Sequence, residues 1–113
     1  MIAFNKTKNL QIAARVIRAD SFQSRLLGLI PRKSMAPEEG LWLEPCAMIH
    51  TCFMRFPIDA VFLGADLKAL AICPYLRPWR FSPWVRGANS VLELACGRLS
   101  GCVEEGDFLE FRK

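Results

Sequence analysis

The residues able to do chemistry are concentrated between positions 46 and 63. The stretch Cys46-Ala47-Met48-Ile49-His50-Thr51-Cys52-Phe53-Met54-Arg55-Phe56-Pro57-Ile58-Asp59-Ala60-Val61-Phe62-Leu63 holds the single histidine and two of the five cysteines. Imidazole titrates near neutral pH, so His50 can act as an acid, a base or a ligand. A nucleophilic dyad would need the thiol of Cys46 or Cys52 within hydrogen-bond reach of it. Two-residue neighbours on a strand sit roughly 6.5–7 Å apart, which is too far for Cys52 to be activated directly. Cys46, His50 and Cys52 could ligate zinc only if the chain bent between them. The plain alternative is a hydrogen-bonded polar residue in or at the rim of a sheet.

Asp59 interrupts an apolar run, and a buried carboxylate must be paired or hydrogen-bonded. Arg55, or an arginine later in the chain, could serve. Glu93 interrupts Val91-Leu92-Glu93-Leu94 in the same way, and strand alternation alone would expose it. The expectation is that His50, Asp59 and Glu93 approach one another at one end of the fold as a polar pocket. A structural ion pair or turn acceptor is the alternative for Asp59.

Further on, Pro74 to Ser90 interleaves Tyr75, Trp79, Phe81 and Trp84 with Arg77, Arg80 and Arg86. Rings and guanidinium groups together can stack bases and grip phosphate or anchor a protein partner. The aromatics can equally fold back as a lid.

These groups must be positioned by short elements. Met1 to Phe4 starts a strand, and Leu10 to Arg18 reads as a second, although Leu10, Ala13, Ala14 and Ile17 also fit helical spacing. Asp20 to Ile30 reads as a short α-helix. Asp20 can cap it, Gln23 follows three residues on, and Phe22, Leu26, Leu29 and Ile30 share a face before Pro31. Leu41 to Leu43 is a strand ending before Pro45. Ala47 to Met54 reads as a strand with Ala47, Ile49, Thr51 and Phe53 on one face and Met48, His50, Cys52 and Met54 on the other. Ile58 to Leu63 is apolar on both faces apart from Asp59, as in the middle of a sheet. Gly64-Ala65-Asp66 turns it into a hairpin partner, Leu67 to Cys73. Three prolines argue that Pro74 to Ser90 is a loop. Val91 to Ala95 and Phe108 to Phe111 complete the strands, with Gly97, Gly101 and Gly106-Asp107 at turns. One helix among seven or eight short strands implies a mainly β domain, a sandwich or barrel.

Size and composition agree. The chain has 113 residues, read as one domain over 1–113, and is 52% hydrophobic, which excludes disorder. Fifteen basic against 11 acidic residues give +4, a mild bias that solubility explains as well as nucleic acid does. No signal core follows the N-terminal charges and no run approaches a membrane span of ~18 apolar residues. With no Cys-x-x-Cys, reduced thiols in the cytoplasm are the expectation, with export left open.

Several segments together resemble a known family. Gly28-Leu29, Ile49-His50-Thr51, Phe53-Met54-Arg55-Phe56-Pro57-Ile58-Asp59, Val61-Phe62-Leu63, Arg77-Pro78-Trp79-Arg80, Val91-Leu92-Glu93-Leu94, Gly97 and Gly106-Asp107 match the motifs of domain of unknown function one-nine-two in order. The resemblance covers nearly the whole chain and implies a small β-sandwich resembling a jelly roll. It implies no activity, because the family's role is not established. The chain departs from the pattern at Cys52, Ala95 and Cys96, so those cysteines are poor candidates for a shared function.

There is no glycine-rich phosphate loop, metal-ligand pattern or nucleophile elbow. The reading is therefore a non-catalytic binding or accessory module with no cofactor and no metal. Its ligand-binding residues are His50, Thr51, Arg55, Asp59, Arg77, Trp79, Arg80 and Glu93, and its partner is a small ligand or a protein. A small hydrolase or transferase using His50 and Asp59 is the alternative. A nucleic-acid module working through the arginine–tryptophan loop is the third and least favoured.

Overall fold

The computed structural model describes residues 1–19 and 32–113. Those residues form a mainly β protein of eight strands: β1 (Ile2–Asn5), β2 (Leu10–Ala13), β3 (Arg15–Ala19), β4 (Glu39–Leu43), β5 (Ile58–Leu63), β6 (Ala69–Leu76), β7 (Ser90–Ala95) and β8 (Leu109–Arg112). The expected helix, Asp20 to Ile30, lies outside the described residues. The strands make a three-stranded sheet in the order β2-β1-β8 and a five-stranded sheet in the order β3-β4-β7-β5-β6. All ladders are antiparallel except β3–β4, which is parallel.

The middle of the larger sheet is where the apolar runs lie. Every residue of β5 and of β7 is buried, as expected of central strands covered on both faces. On one face Val61, Leu63, Leu92 and Leu94 share a core with Ala3, Ile12, Ala13 and Leu109 of the smaller sheet. On the other, Leu41, Leu43, Ile58, Ala60, Phe62 and Val91 pack with Ile49, Met54 and Leu76. The large sheet therefore lies between the small sheet and a cover built from the central motif.

Three sequence expectations change. Leu10 to Arg18 is two strands, because the amides of Ala14 and Arg15 both donate to the carbonyl of Glu38 (2.8 and 2.9 Å) and the chain bends from one sheet into the other. β6 runs on through Pro74 to Leu76. That position is tolerated because, among the described residues, β6 is an edge strand and no outer neighbour needs the missing amide.

Ala47 to Met54 is not a sheet strand. Its ladder is one bridge, His50 to Phe81, and the Met54 amide donates to the Thr51 carbonyl across a turn (3.1 Å). Phe53 sits there at φ 68°. Alternation holds from Met48 to Thr51, with Ile49 and Thr51 inward. It then inverts, leaving Phe53 exposed and Met54 buried.

Candidate functional site

The segment 47–54 and the loop 79–85 are bound together as an irregular two-stranded ribbon. The Val85 amide donates to the Ala47 carbonyl (3.0 Å) and the Ser82 amide to the Ile49 carbonyl (2.9 Å). In return the Ile49 amide donates to Ser82 Oγ (2.9 Å). Thr51 is the centre of this stitching. Its amide donates to the Arg80 carbonyl (2.9 Å), its carbonyl accepts from the Trp79 amide (3.0 Å), and its Oγ1 accepts from the Arg80 amide (3.0 Å) and donates to the Arg77 carbonyl. A buried threonine thus clamps the arginine–tryptophan loop onto the central motif, and two stretches separate in sequence become one surface.

The inner side of the ribbon carries Ile49 and Met54, which pack onto the large sheet beside Val85 and Ala88. The outer side is unusual for a soluble surface. Met48, Phe53, Trp79, Phe81 and Trp84 are exposed there, with Tyr75 exposed at the end of β6. Trp84 is 71% exposed and Phe53 and Phe81 65% each, so these rings do not form the closed lid that the sequence allowed. Phe53 and Trp79 tilt against each other at 4.6 Å between centroids, and His50 lies 5.8 Å from Phe81.

Three of the exposed rings occupy left-handed backbone: Phe53 at φ 68°, Tyr75 at 50° and Trp79 at 63°. An L-residue there costs roughly 1–2 kcal/mol, and glycine would sit there without it. Neither backbone geometry nor burial explains aromatic side chains at these positions. Around them Arg55, Arg77, Arg80 and Arg86 are exposed, and none has a carboxylate within ion-pair distance among the described residues.

His50 is exposed on this outer side, and its Nδ1 accepts the backbone N–H of Cys52 (3.2 Å). That bond places the proton of the neutral ring on Nε2. Cys52 therefore approaches His50 through its backbone amide. The Cys46 thiol donates to the Met48 carbonyl (3.1 Å). All five cysteines are thiols. Among the described residues, no group of three or more His, Cys, Asp or Glu side chains is arranged to hold a metal ion.

The expected pocket of His50, Asp59 and Glu93 is not formed. Asp59 pairs across the β5–β7 ladder with Leu94, and Glu93 with Ala60, so the two carboxyl groups leave the sheet on opposite faces. Asp59 turns toward the core shared with the small sheet. Its partner is neither Arg55 nor a loop arginine. Oδ1 accepts the Tyr75 amide (2.9 Å), and Oδ2 accepts the Gly97 and Leu99 amides (3.0 Å each). Gly97 takes φ 89° in that turn, a conformation suited to glycine. Asp59 is thus the acceptor that ties the end of β6 and the turn after β7 to β5.

Glu93 lies on the same face as the ribbon but underneath it, buried between Leu41 and Ala60. Alternation failed to expose it because β7 is covered on both sides. No hydrogen-bond donor among the described residues reaches its carboxyl, and burial pushes its pKa up to about 8, so it holds a proton at neutral pH.

Of the eight residues picked from the sequence, six gather at or beside the ribbon: His50, Thr51, Arg55, Arg77, Trp79 and Arg80. Asp59 and Glu93 do not join its outer surface. Sequence reasoning placed Phe53 on the same face as Ile49 and Thr51 and did not single out Met48. A compositional signal could have drawn attention to both, since no Asp or Glu occurs from Pro45 to Ile58 or from Leu67 to Leu92.

Comparison with known proteins places this fold and sequence. The chain is 35% identical over 113 residues to a UPF0127 protein of Pyrococcus furiosus, covering 96% of this chain and 97% of that one. It is 37% identical over 79 residues to a UPF0127 protein of Pyrococcus horikoshii, covering 67% and 68%. A crystal structure of a protein of unknown function from Novosphingobium aromaticivorans shares the fold, with TM-score 0.84 and 21% identity over 97% of this chain and 82% of that one. Another, of a Sinorhizobium meliloti protein proposed as a transcription regulator, gives TM-score 0.78 and 25% identity over 96% and 89%. The family model described as Uncharacterized ACR matches residues 3–111, and the chain belongs to that family, DUF192.

Proposed function

We propose that this protein is a non-catalytic binding module whose ligand meets the outer side of the ribbon. His50, Trp79 and Arg80 would make contact directly, Arg55 and Arg77 would supply charge, and Thr51 would hold the two segments in register. One observation carries the reading. Large aromatic side chains stay exposed on a backbone that is anchored by buried residues and, at three positions, sits in left-handed conformations. A contiguous exposed apolar surface of this kind marks an interaction site.

Asp59 argues against the His50–Asp59 acid–base alternative. Both its oxygens are engaged by backbone amides, on the face of the sheet away from the ribbon. The shared core of the two sheets supports reading the fold as a sandwich. The parallel β3–β4 pair departs from the antiparallel pairing of a jelly roll.

Amide chemical-shift mapping on the labelled protein, against sugars, metals, nucleotides and short peptides, tests the binding reading. Shifts clustered at His50, Thr51, Trp79 and Arg80 are expected. Shifts clustered elsewhere, around Asp59 or the small sheet, would sink it.

A further inference from the structure

The ribbon's chemistry narrows its partner. From Pro45 to Ile58 and from Leu67 to Leu92 there is no carboxylate, while Arg55, Lys68, Arg77, Arg80 and Arg86 fall within those two stretches. Of the acidic residues that flank these stretches, Asp59 and Glu93 are buried, Glu44 is half-buried and paired with Arg18, and Asp66 is exposed in the β5–β6 turn. The residues of the two stretches thus present cationic and apolar groups with no anion among them.

Sugar binding fits this poorly, because hydroxyl recognition relies on carboxylates and amides, and Asn89 is the sole Asp, Glu, Asn or Gln in the two stretches. Stacking of bases fits less well than insertion of whole side chains. The rings of Phe53 and Trp79 lean on each other at 58° rather than lying as open parallel platforms. Met48 adds an exposed side chain that cannot stack in that manner. Tryptophan, tyrosine and phenylalanine beside arginine are the residues that settle at the boundary between lipid headgroups and acyl chains.

We propose that the outer side of the ribbon docks peripherally on an anionic lipid bilayer. Trp84, Phe81, Trp79 and Phe53 enter the headgroup boundary, and the arginines around them lie against lipid phosphates. No helix among the described residues is long and apolar enough to cross a membrane, and the proposal needs none. It rests on reading the ribbon as the binding surface and names that surface's partner.

The test uses the intact chain with phosphatidylcholine vesicles, with and without about a third phosphatidylglycerol, at low and high salt. Co-sedimentation with the anionic vesicles at low salt is expected, weakening as salt rises. Tryptophan emission should shift to the blue as Trp79 and Trp84 leave water, while Trp42, stacked on Phe111 at 3.9 Å, reports no change. Trp84→Ser and Phe81→Ser should each lower partitioning several-fold. Arg80→Ala and Arg86→Ala should lower it roughly fivefold each, with the thermal unfolding of all four variants close to that of the parent.

Absence of sedimentation with anionic vesicles at low salt would overturn the lipid assignment. So would binding that all four variants leave intact. Binding of a single-stranded oligonucleotide without binding of vesicles would replace lipid with nucleic acid. If the ribbon amides respond to another ligand while vesicles are ignored, only the lipid assignment falls. Ribbon amides silent to every probe, vesicles included, would remove the binding-surface reading as well.

Discussion

Asp59 and Glu93 are diagonal neighbours across the β5–β7 ladder, yet their carboxyl groups leave the sheet through opposite faces. One is held by three backbone amides. The other has no donor among the described residues. Two acidic residues that look alike in an apolar context therefore have opposite physical roles, and each role can be measured.

Removing the Asp59 carboxylate would orphan the amides of Tyr75, Gly97 and Leu99. Asp59→Ala is expected to cost about 3–5 kcal/mol in urea unfolding. Asp59→Asn can still accept from Gly97 and Leu99 while turning its amide toward Tyr75, so about 1–3 kcal/mol is expected. An Asp59→Ala protein as stable as the parent would show that these bonds are not what holds the turn.

Glu93 makes stability depend on pH. Its pKa in the fold, about 8, lies above the ordinary glutamate value of 4.5. The folded protein thus binds more protons than the unfolded chain between those values. Its contribution is most favourable below pH 4.5, declines as pH rises toward 8, and levels off above. Glu93→Gln removes this slope. The variant should gain on the parent by several kcal/mol, to order of magnitude, between pH 5 and pH 8. Parallel urea midpoints for the two proteins over that range would refute the assignment.

Thr51→Val preserves shape and removes the hydroxyl that binds the Arg77 carbonyl and the Arg80 amide. About 1–2 kcal/mol of stability should be lost. The loss should be local, with faster hydrogen exchange at the amides of Trp79 and Arg80 and little change in β5 or β7. Uniformly faster exchange would mean that the ribbon and the sheet open together.

Asp107 closes the small sheet in a buried polar cluster. Its Oδ2 accepts from Asn5 Nδ2 (2.9 Å) and the Glu104 amide (2.9 Å) and lies 3.2 Å from Lys8 Nζ. Burial opposes ionisation, but these donors and the lysine outweigh it and hold the carboxyl below its usual 3.8. Stability from this group is present above pH 3.8 and is lost as pH falls through the lower folded value. Asp107→Asn should cost about 1–3 kcal/mol at pH 7, with the gap narrowing in acid. A gap independent of pH would assign the effect to packing.

The sequence by itself determined most of the scaffold. Ile58-Asp59-Ala60-Val61-Phe62-Leu63 is apolar on both faces apart from Asp59, and such a run is stable only as a covered central strand, which is where it lies. The family too was legible, because its motifs recur in order along the chain. Six of the eight candidate residues also converge on the ribbon. What a linear pattern could not contain was which face of the sheet each side chain met, and what covered that face.

Alternation suggested an exposed Glu93, but a second layer buries it. It put Phe53 on the face of Ile49 and Thr51, but the turn at Thr51–Met54 reverses the facing of the residues after it. Asp59 could be read as an ion-pair partner or a turn acceptor; it is the acceptor, and its donors are amides 16 to 40 residues away that only the folded ladder brings within reach. Layer packing, a local turn and bonds from distant amides to a side chain decide these outcomes. They depend on which segments become neighbours, and that is settled by the packing of the whole chain rather than by the periodicity of any one stretch.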